Sequence, residues 1–489
     1  GSGYSRLREM AVTRWREDGT RDPWGSFCYL RDVESGEFWS AAYQPTCSLV
    51  SDYEAIFSDA KAEYRGRRRA YDMHLEIAIS AEDDIELRRL HITNRAAHAR
   101  TIEITTYAEV VLAPAISDEL HPAFSNLFVQ TEIVRPKQAL LCTRRPRSQD
   151  EVMPWMFHLV AVHDAAVDAI SYETDRGRFL GRGNTARAPL ALTDNGTLSD
   201  TDGSVLDPIV AIRCRVTLAP EQSAIIDMVT GVSMQRETCA QLIDKYRDRH
   251  LADRVFDLAW THSEVVRRQI NATPADARLF ERLAAPVVYS SSFLRAEPAV
   301  LLQNRRGQSG LWGHSISGDL PIVLLRVAAA ASIDLVRQLI QAHAYWRLKG
   351  LDVDLVIWNE EQAGYRQELQ DQILGLITAG AEANLLNRRG GIFVRPAHQL
   401  SHDDRILLQT VARVVISDSD GSLLAQVGRH VAPPRSVPLL LPDRGTAFEP
   451  MTDAGARQLQ PAAAEVGPPA DGAAAAAKAR FDNGTGSFS

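Results

Sequence analysis

Apolar and polar residues alternate through much of the first half of the chain, with the two-residue period of half-buried β-strands. In Tyr71–Ile79 every second residue is large and apolar, and the residues between are polar or small. The pattern recurs at Ile85–Thr93, Thr101–Leu112, Val210–Val216 and Ala224–Thr230. These segments predict a series of strands, each with one face turned towards a core.

The connections between these strands are short. The stretch Asn94–Arg100 predicts a hairpin between its two flanking strands. The strands at 210–216 and 224–230 are interpreted as another pair. Many short strands at regular spacing through residues 1–234 are typical of an antiparallel sandwich, and their number predicts a large one.

Near Gly231 the pattern changes to helical spacing. Helices are predicted at Glu237–Asp248, Ala252–Gln269 and Asp276–Ala284. We interpret residues 235–290 as a helical linker.

Between 291 and 430, apolar runs alternate with amphipathic segments. The predicted order of strands and helices is Pro321–Val327, Ile333–Lys349, Val353–Trp358, Gln362–Ile377, Gly391–Arg395 and Ser401–Val415. Strands that alternate with helices over short connections indicate a small parallel α/β layer. Ser401 with Asp404 predicts a capping box at the start of the last helix.

The remainder of the chain has a different composition. Residues 431–480 are rich in Pro and Ala, which is typical of a low-complexity linker. The segment Phe481–Ser489 resembles the first strand of a further domain and partly repeats Gly1–Ser5. The chain begins without Met, so we interpret it as an internal piece of a longer polypeptide. The expected fold is mixed α and β: a large antiparallel sandwich, a helical linker and a small α/β layer.

Composition narrows the possible partners. The 489 residues carry a net charge of −8, whereas a nucleic-acid binder needs a basic surface to displace counterions. The basic runs Arg65–Arg69 and Arg144–Arg147 are short, and we interpret them as solvated strand ends or loops. No apolar run approaches the roughly 18 residues that would predict a membrane span.

Metal and cofactor signals are weak. The five cysteines form no CxxC pair and have no histidine partner at zinc-finger spacing, which indicates free thiols in a reducing compartment. No Walker loop is present, and Gly181–Thr185 lacks the glycine spacing of a dinucleotide-binding turn. We therefore predict no cofactor and no metal.

Three long motifs carry a family resemblance. They are the opening segment Gly1–Thr46, the segment Tyr107–Gln130 with its Tyr-Ala-Glu-Val-Val-Leu-Ala-Pro and His-Pro-Ala-Phe-Ser sequences, and the loop Gly310–Pro321, which reads Gly-Leu-Trp-Gly-His-Ser-Ile-Ser-Gly-Asp-Leu-Pro. Together they closely resemble the region that precedes the phosphorylase-like domain of cyclic β-1,2-glucan synthases. That region is related to the cellobiose phosphorylases of the glycosyltransferase 36 and glycoside hydrolase 94 type. The resemblance extends to about residue 430 and resumes at 481.

The resemblance implies a β-supersandwich, a helical linker and the start of a barrel-associated segment. It implies a parent enzyme that makes and trims β-1,2-linked glucose polymers from UDP-glucose. It also implies a location on the cytoplasmic side of the inner membrane, within a larger membrane-anchored enzyme. The expected partners are a β-glucan oligosaccharide and the remainder of the parent polypeptide.

A catalytic acid is not evident. In the family it lies in an Asp-Trp-Asn-Asp type motif on an (α/α)6 barrel, and this chain has no such motif. The sequence Trp358–Glu361 is similar only superficially, because it follows a predicted strand. We interpret Glu360 as part of an acidic helix start and assign no catalytic residue.

Two groups of residues are candidates for sugar contact. In the loop motif, Trp312 offers a ring face, while Asp319 and His314 offer polar groups, among glycines that permit tight turns. This loop could equally be a structural corner. In the opening segment, Trp15 and Trp24 are interleaved, together with Trp39 and Tyr43, with the charged residues Arg14, Arg16, Asp18 and Asp22. They form either a glycan platform or core packing beside Arg–Asp pairs.

Three functional hypotheses follow from these features. The first is a non-catalytic, carbohydrate-binding or scaffolding part of a cyclic β-1,2-glucan synthase. The second is a catalytic segment that uses Asp319 or Glu360 with Trp312 and His314. The third is a structural spacer without a ligand.

Overall fold

The computed structural model of this protein describes residues 3–16, 18, 22–146, 148, 151–194, 196–289, 291–361, 368–380, 383–428, 481–482 and 487–488. The chain divides into two units at residue 430. In the second unit, the strands Phe481–Asp482 and Ser487–Phe488 form an antiparallel pair. The predicted linker at 431–480 lies outside the described residues, and the further domain at 481–489 stays a prediction.

The strands of the first unit are β1 (Arg6–Leu7), β2 (Met10–Thr13), β3 (Phe27–Asp32), β4 (Phe38–Ser40), β5 (Ser51–Phe57), β6 (Lys61–Arg68), β7 (Tyr71–Ile79), β8 (Ile85–Asn94), β9 (Arg100–Pro114), β10 (Val129–Val134), β11 (Ala139–Arg144), β12 (Trp155–His163), β13 (Val167–Asp175), β14 (Pro208–Leu218), β15 (Ser223–Ser233), β16 (Ile322–Val327), β17 (Asp354–Asn359), β18 (Ile392–Pro396) and β19 (Val414–Ser417). The α-helices are α1 (Ala115–Leu120), α2 (Pro122–Asn126), α3 (Arg176–Leu180), α4 (Leu190–Thr193), α5 (Arg236–Tyr246), α6 (Arg249–Gln269), α7 (Pro274–Val288), α8 (Pro298–Leu301), α9 (Ser309–Trp312), α10 (Ile333–Leu348), α11 (Glu368–Ala379), α12 (His402–Val411) and α13 (Leu423–Gly428).

Strands β1–β15 form two antiparallel sheets. One has the order β10-β11-β12-β15-β8-β7-β6-β5, and the other has the path β1-β2-β9-β14-β13 with β3 on β9 and β4 on β3. Apolar residues of both sheets, such as Leu90, Ile104 and Ile226, share one fully buried core. The predicted strands and the mixed fold with a large antiparallel sandwich are therefore confirmed.

Two predicted strand pairings are wrong. β8 pairs with β7 and β15, whereas β9 pairs with β2, β3 and β14, so the stretch Asn94–Arg100 crosses from one sheet to the other instead of forming a hairpin. β14 and β15 likewise lie in different sheets. Alternation specifies which face of a strand is buried but not which sheet the strand joins. Asn94 is fully buried, and its side-chain amide donates to the carbonyl oxygens of His98 and Leu218 at 2.9 Å each, so it ties both crossings together.

The three predicted helices after the sandwich are confirmed as α5, α6 and α7, but they do not form an isolated spacer. Buried residues of α5 and α6, such as Ile243 and Val255, pack with Phe157 on the outer face of the eight-stranded sheet. Phe280 of α7 instead packs with the core of the following layer. The helices thus belong to two different cores.

The α/β layer is built on four parallel strands in the order β18-β17-β16-β19. The predicted strands and the capping box of Ser401 and Asp404 are confirmed. The helix predicted at Ser401–Val415 is too long: it ends at Val411, and Val414–Ser417 is the strand β19 beside β16. The β-branched residues there suit a strand that is covered on both faces.

Part of the helix predicted at Gln362–Ile377 lies outside the described residues, and Glu368–Ala379 is helical. None of the helices in the described part of the chain is both long and apolar enough to cross a membrane.

Candidate functional site

The loop Ser309–Leu320 presents one tryptophan to solvent. Leu311 is buried under the α/β layer together with Leu324 and Leu407, and this contact fixes the short helix α9. The next side chain, Trp312, is 63% exposed, and its indole nitrogen donates to the carbonyl oxygen of Ser317 at 3.3 Å. One ring edge is therefore held while the ring remains accessible.

The other polar residues of this loop have different positions. Asp319 is exposed and accepts a hydrogen bond of 3.0 Å from Gln308, whose amide also donates to Ser317 at 2.8 Å. Gly318 has φ of +77°, and a Cβ there would come within 2.9 Å of Leu311, so this turn requires glycine. The structure thus places Trp312 and Asp319 around the same braced turn.

His314 faces the protein instead. Its Nε2 lies 3.5 Å from Asp404, the N3 residue of the capping box on α12, and Arg395 donates to the His314 carbonyl oxygen. Burial opposes the ionisation of Asp404, but hydrogen bonds from Ser401 and His314 outweigh it and lower the pKa of Asp404. The contact with Asp404 ties the loop to α12 through His314.

The tryptophans of the opening segment differ in their exposure. Trp15 is 40% exposed and stacks on Tyr4 with ring centroids 5.1 Å apart. Trp24 is half-buried, with the Arg16 guanidinium 5.3 Å above its ring. Trp39 is fully buried, and its indole nitrogen lies 2.9 Å from the sulfur of Met73. Packing thus accounts for Trp39, while Trp15 keeps an accessible edge. Among the described residues, no hydrogen bond, ion pair or ring contact joins Trp15 or Trp24 to the Trp312 loop.

A buried ionic network lies behind the opening segment. Arg14 donates to both carboxylate oxygens of Asp118 at 2.9 Å each and to Glu109 at 2.5 Å. It also donates to Asn126 at 2.7 Å. Burial alone would lower the pKa of Arg14, but the two carboxylates raise it. Arg14 thereby holds the helix pair α1 and α2 against β9.

The network continues on its far side. Arg176 donates to Glu109 at 2.7 Å and to Asp207 at 3.1 Å, and the Tyr107 hydroxyl donates to Glu109 at 2.7 Å. Burial, together with the charge of Glu109, raises the pKa of Asp207.

The sequence did not predict these partners of Arg14, which lie about a hundred residues away. A carboxylate within an otherwise apolar strand run was the available signal, because a buried charge requires a partner. The opening segment and Tyr107–Gln130, two of the motifs that carry the family resemblance, meet in this network.

The helix pair α1 and α2 also carries an apolar ridge. Its exposed side chains are Ile116, Leu120 and Phe124, and Leu127 follows directly after α2. The Arg14 network below fixes the backbone that presents them. Several large apolar side chains exposed on one helix pair are typical of an interaction site.

Other charged groups are neutralised by neighbours. Glu63, His74 and Glu76 place metal-ligand atoms within 4.8 Å of one another. The Lys61 ammonium lies 2.5 Å from Glu76 and 3.2 Å from Glu63, so a cation of the protein itself occupies this position. In the basic run, Arg67 pairs with Asp72, and Arg68 and Arg69 both pair with Glu37.

Glu360 follows β17, as predicted. Its carboxylate accepts a hydrogen bond of 2.9 Å from Arg326 of the neighbouring strand, and Glu361 accepts one of 3.2 Å from the backbone of Leu369 at the start of α11. Both acids therefore have structural partners within the α/β layer.

The model of the glycosyl hydrolase 94 supersandwich domain matches residues 1–249, which include both large antiparallel sheets. The chain belongs to the glycosyl hydrolase 94 family through this domain.

Relatives agree with this assignment. The chain is 35% identical to the cyclic beta-(1,2)-glucan synthase NdvB of Rhizobium meliloti (strain 1021) over 370 residues, which are 76% of the chain and 13% of that protein. It is 25% identical to an N,N'-diacetylchitobiose phosphorylase of Vibrio furnissii over 247 residues, 50% of the chain and 30% of the relative. It is 22% identical to a solabiose phosphorylase of Paenibacillus borealis over 221 residues, 45% of the chain and 27% of the relative. The chain therefore spans less than a third of each of these proteins, and its resemblance to both groups is confirmed.

Proposed function

We propose that this chain is a non-catalytic, glucan-binding part of an enzyme of the cyclic β-1,2-glucan synthase type. The observation that carries the proposal is that the exposed ring of Trp312 and the exposed carboxylate of Asp319 lie on the same braced turn. The C–H face of a pyranose packs on such a ring, while its hydroxyls donate to a carboxylate. Because the turn is already held by Gln308 and Leu311, little ordering entropy is lost on binding.

Isothermal calorimetry with β-1,2-linked gluco-oligosaccharides tests this proposal on the whole chain. Trp312→Ala should abolish measurable binding. Trp260→Ala is a matched control, because Trp260 is 62% exposed on the separate helix α6. This variant should bind the oligosaccharide as the wild type does. Absence of wild-type binding, or equal affinity in Trp312→Ala, would contradict the proposal. Phosphorolysis of the oligosaccharide by this chain alone would support the catalytic alternative.

The apolar ridge on α1 and α2 favours a second, scaffolding function. We propose that it docks on the remainder of the parent polypeptide, where it would support or cover a catalytic domain. Leu120→Asp with Phe124→Asp should lower glucan synthesis by the parent enzyme while leaving the fold of this chain intact. Unchanged synthesis by this double variant, with a folded chain by circular dichroism, would refute the scaffolding role.

We further propose that this part lies on the cytoplasmic side of the inner membrane within a membrane-anchored enzyme. An antibody to this chain should bind in inverted membrane vesicles but not in intact spheroplasts. Binding to intact spheroplasts would contradict that location.

A further inference from the structure

The sandwich and the α/β layer have separate apolar cores. Among the described residues, each cluster of buried apolar side chains lies either wholly at or before Ala259 or wholly at or after Ile270. Parts of a chain that share no large apolar interface move relative to one another unless polar contacts hold them. The contacts that join these two parts therefore decide their relative position.

Asp59 is the centre of the polar junction. It lies in the turn between β5 and β6, at the edge of the sandwich. Its carboxylate accepts from Arg267 of α6 at 2.9 Å and from the Tyr345 hydroxyl of α10 at 2.7 Å. Its backbone oxygen accepts from Lys349, just beyond α10, at 2.6 Å. One residue of the sandwich thus contacts two helices.

A second carboxyl group reaches the same hydroxyl. Oε1 of Glu281, on α7, lies 2.8 Å from Oη of Tyr345. The phenol has a single hydrogen, and Asp59 and Glu281 both lie within hydrogen-bond distance of its oxygen. The junction is fully hydrogen-bonded only if one carboxyl group brings its own proton.

The surroundings determine which carboxyl group carries that proton. Burial, together with the charge of Asp59, raises the pKa of Glu281. Burial also acts on Asp59, but hydrogen bonds from Tyr345 and Arg267 outweigh it and lower the pKa of Asp59. Burial and both carboxyl groups raise the pKa of Tyr345, so the phenol keeps its hydrogen. Of the two carboxyl groups, Glu281 therefore keeps its proton to the higher pH.

We propose that Asp59, Tyr345 and Glu281 form a proton-dependent lock between the sandwich and the α/β layer, closed when Glu281 is neutral and Asp59 is ionised. As pH rises through the pKa of Glu281, a second negative charge forms beside Asp59 and the lock opens. As pH falls through the pKa of Asp59, the ion pair with Arg267 is lost. The lock is tightest between these two pKa values.

The remaining charged groups around the junction do not replace this proton. Lys61 is paired with Glu63 and Glu76 on its own sheet, and Arg267 is shared with Glu264 of α6. His262 of α6 is exposed. The ammonium of Lys349 lies 5.6 Å from the ring centroid of Tyr345 and donates to the backbone oxygen of Asp59.

The lock borders a cleft of ≈ 530 Å³. Lys61 and Ile79 of the sandwich line one side of this cleft, and Leu348 and Lys349 at the end of α10 line the other. Opening of the lock would therefore widen the cleft.

Distances between two spin labels, measured by double electron–electron resonance over a pH series, test the lock. Ala99→Cys and Ala379→Cys place labels at exposed sites on the sandwich and on α11, with Cys47→Ser removing the one cysteine that is not buried. The wild-type distance distribution should be narrow at mildly acidic pH and broaden as pH rises. The distance distribution of Glu281→Gln should stay narrow over the whole pH series, because the introduced amide keeps a donor and carries no charge.

Two further variants make the outcome decisive. The distance distribution of Asp59→Ala should be broad at every pH, while the circular dichroism of this variant remains that of a folded chain. Glu264→Gln is the matched control, because it touches Arg267 but not Tyr345, and it should keep the wild-type pH response. A wild-type distribution that does not change with pH, or a Glu281→Gln variant that broadens as the wild type does, would overturn the lock.

Discussion

Nε2 of His158 lies 2.9 Å from Oγ1 of Thr106, and this contact joins the two sheets through the interior of the sandwich. The other ring nitrogen lies 2.9 Å from Oγ1 of Thr230 on the neighbouring strand. Burial, with a contribution from the charge of Arg88, lowers the pKa of His158 from 6.5 to about 3. The imidazole is thus neutral and bridges the two sheets.

The stability of the sandwich should therefore depend on pH through His158. Between pH 6.5 and about 3 the unfolded chain binds a proton at this residue and the folded chain does not. The free energy of unfolding should therefore fall as pH decreases from 6.5 towards 3, by on the order of a few kcal/mol. Urea unfolding of the wild type and His158→Gln at pH 7, 5 and 4 isolates this effect from the titration of carboxylates. Equal pH slopes for the two proteins would contradict it.

Asn94 should be important for stability because it holds both sheet crossings. Asn94→Leu has a similar volume but removes the side-chain donor from the carbonyl oxygens of His98 and Leu218, the second of which is buried. Each unsatisfied buried group costs about 1–3 kcal/mol. We expect a loss of that order or more in urea unfolding, whereas Asn304→Leu, at a surface turn, should change stability little. Equal stabilities for the two variants would contradict this role.

Removal of Arg14 should leave Glu109 and Asp118 as buried charges that lack their main partner. Arg14→Ala should lower the free energy of unfolding by about 3–5 kcal/mol. Arg14→Lys keeps the charge but cannot make the two parallel hydrogen bonds to Asp118. This variant should therefore lower the free energy of unfolding by less than Arg14→Ala does. Chemical denaturation monitored by tryptophan fluorescence measures both variants. A loss below about 1 kcal/mol for Arg14→Ala would refute this account.

Substitution of two glycines by alanine should change the stability of the protein in opposite directions. At Gly231 on β15, a Cβ would come within 2.4 Å of Phe157 and 2.6 Å of Ile85, so Gly231→Ala should cost about 1–3 kcal/mol through overpacking. At Gly375 on α11, a Cβ would meet open space, and Gly375→Ala should stabilise the protein by about 0.5–1 kcal/mol. Thermal unfolding of both variants checks the signs.

Local patterns predicted most elements correctly, and the errors share one cause. The strands β7, β8 and β9 follow from alternation within each segment, and the capping box at Ser401 follows from residues three positions apart. The pairing of β8 with β15 joins segments more than a hundred residues apart, and no local pattern encodes it. The run from Val411 to Ile416 suits a helix or a strand equally, and its place beside β16 decides for the strand.

For the candidate site, the sequence identified Trp312, Asp319 and Trp15 as residue types that suit sugar contact. Their exposure could not be predicted, since Trp39 belongs to the same opening segment and is fully buried. Whether a ring lies inside or outside depends on which sheet covers it.

By itself, the sequence determined the periods of the strands and helices and the family resemblance, because these depend on neighbouring residues and contiguous motifs. Only the tertiary structure decided which strands share a sheet, that Arg14 meets Asp118, and that Asp59, Tyr345 and Glu281 share their hydrogens. These contacts join distant segments, and burial gives them their strength because it removes the water that would otherwise satisfy each group.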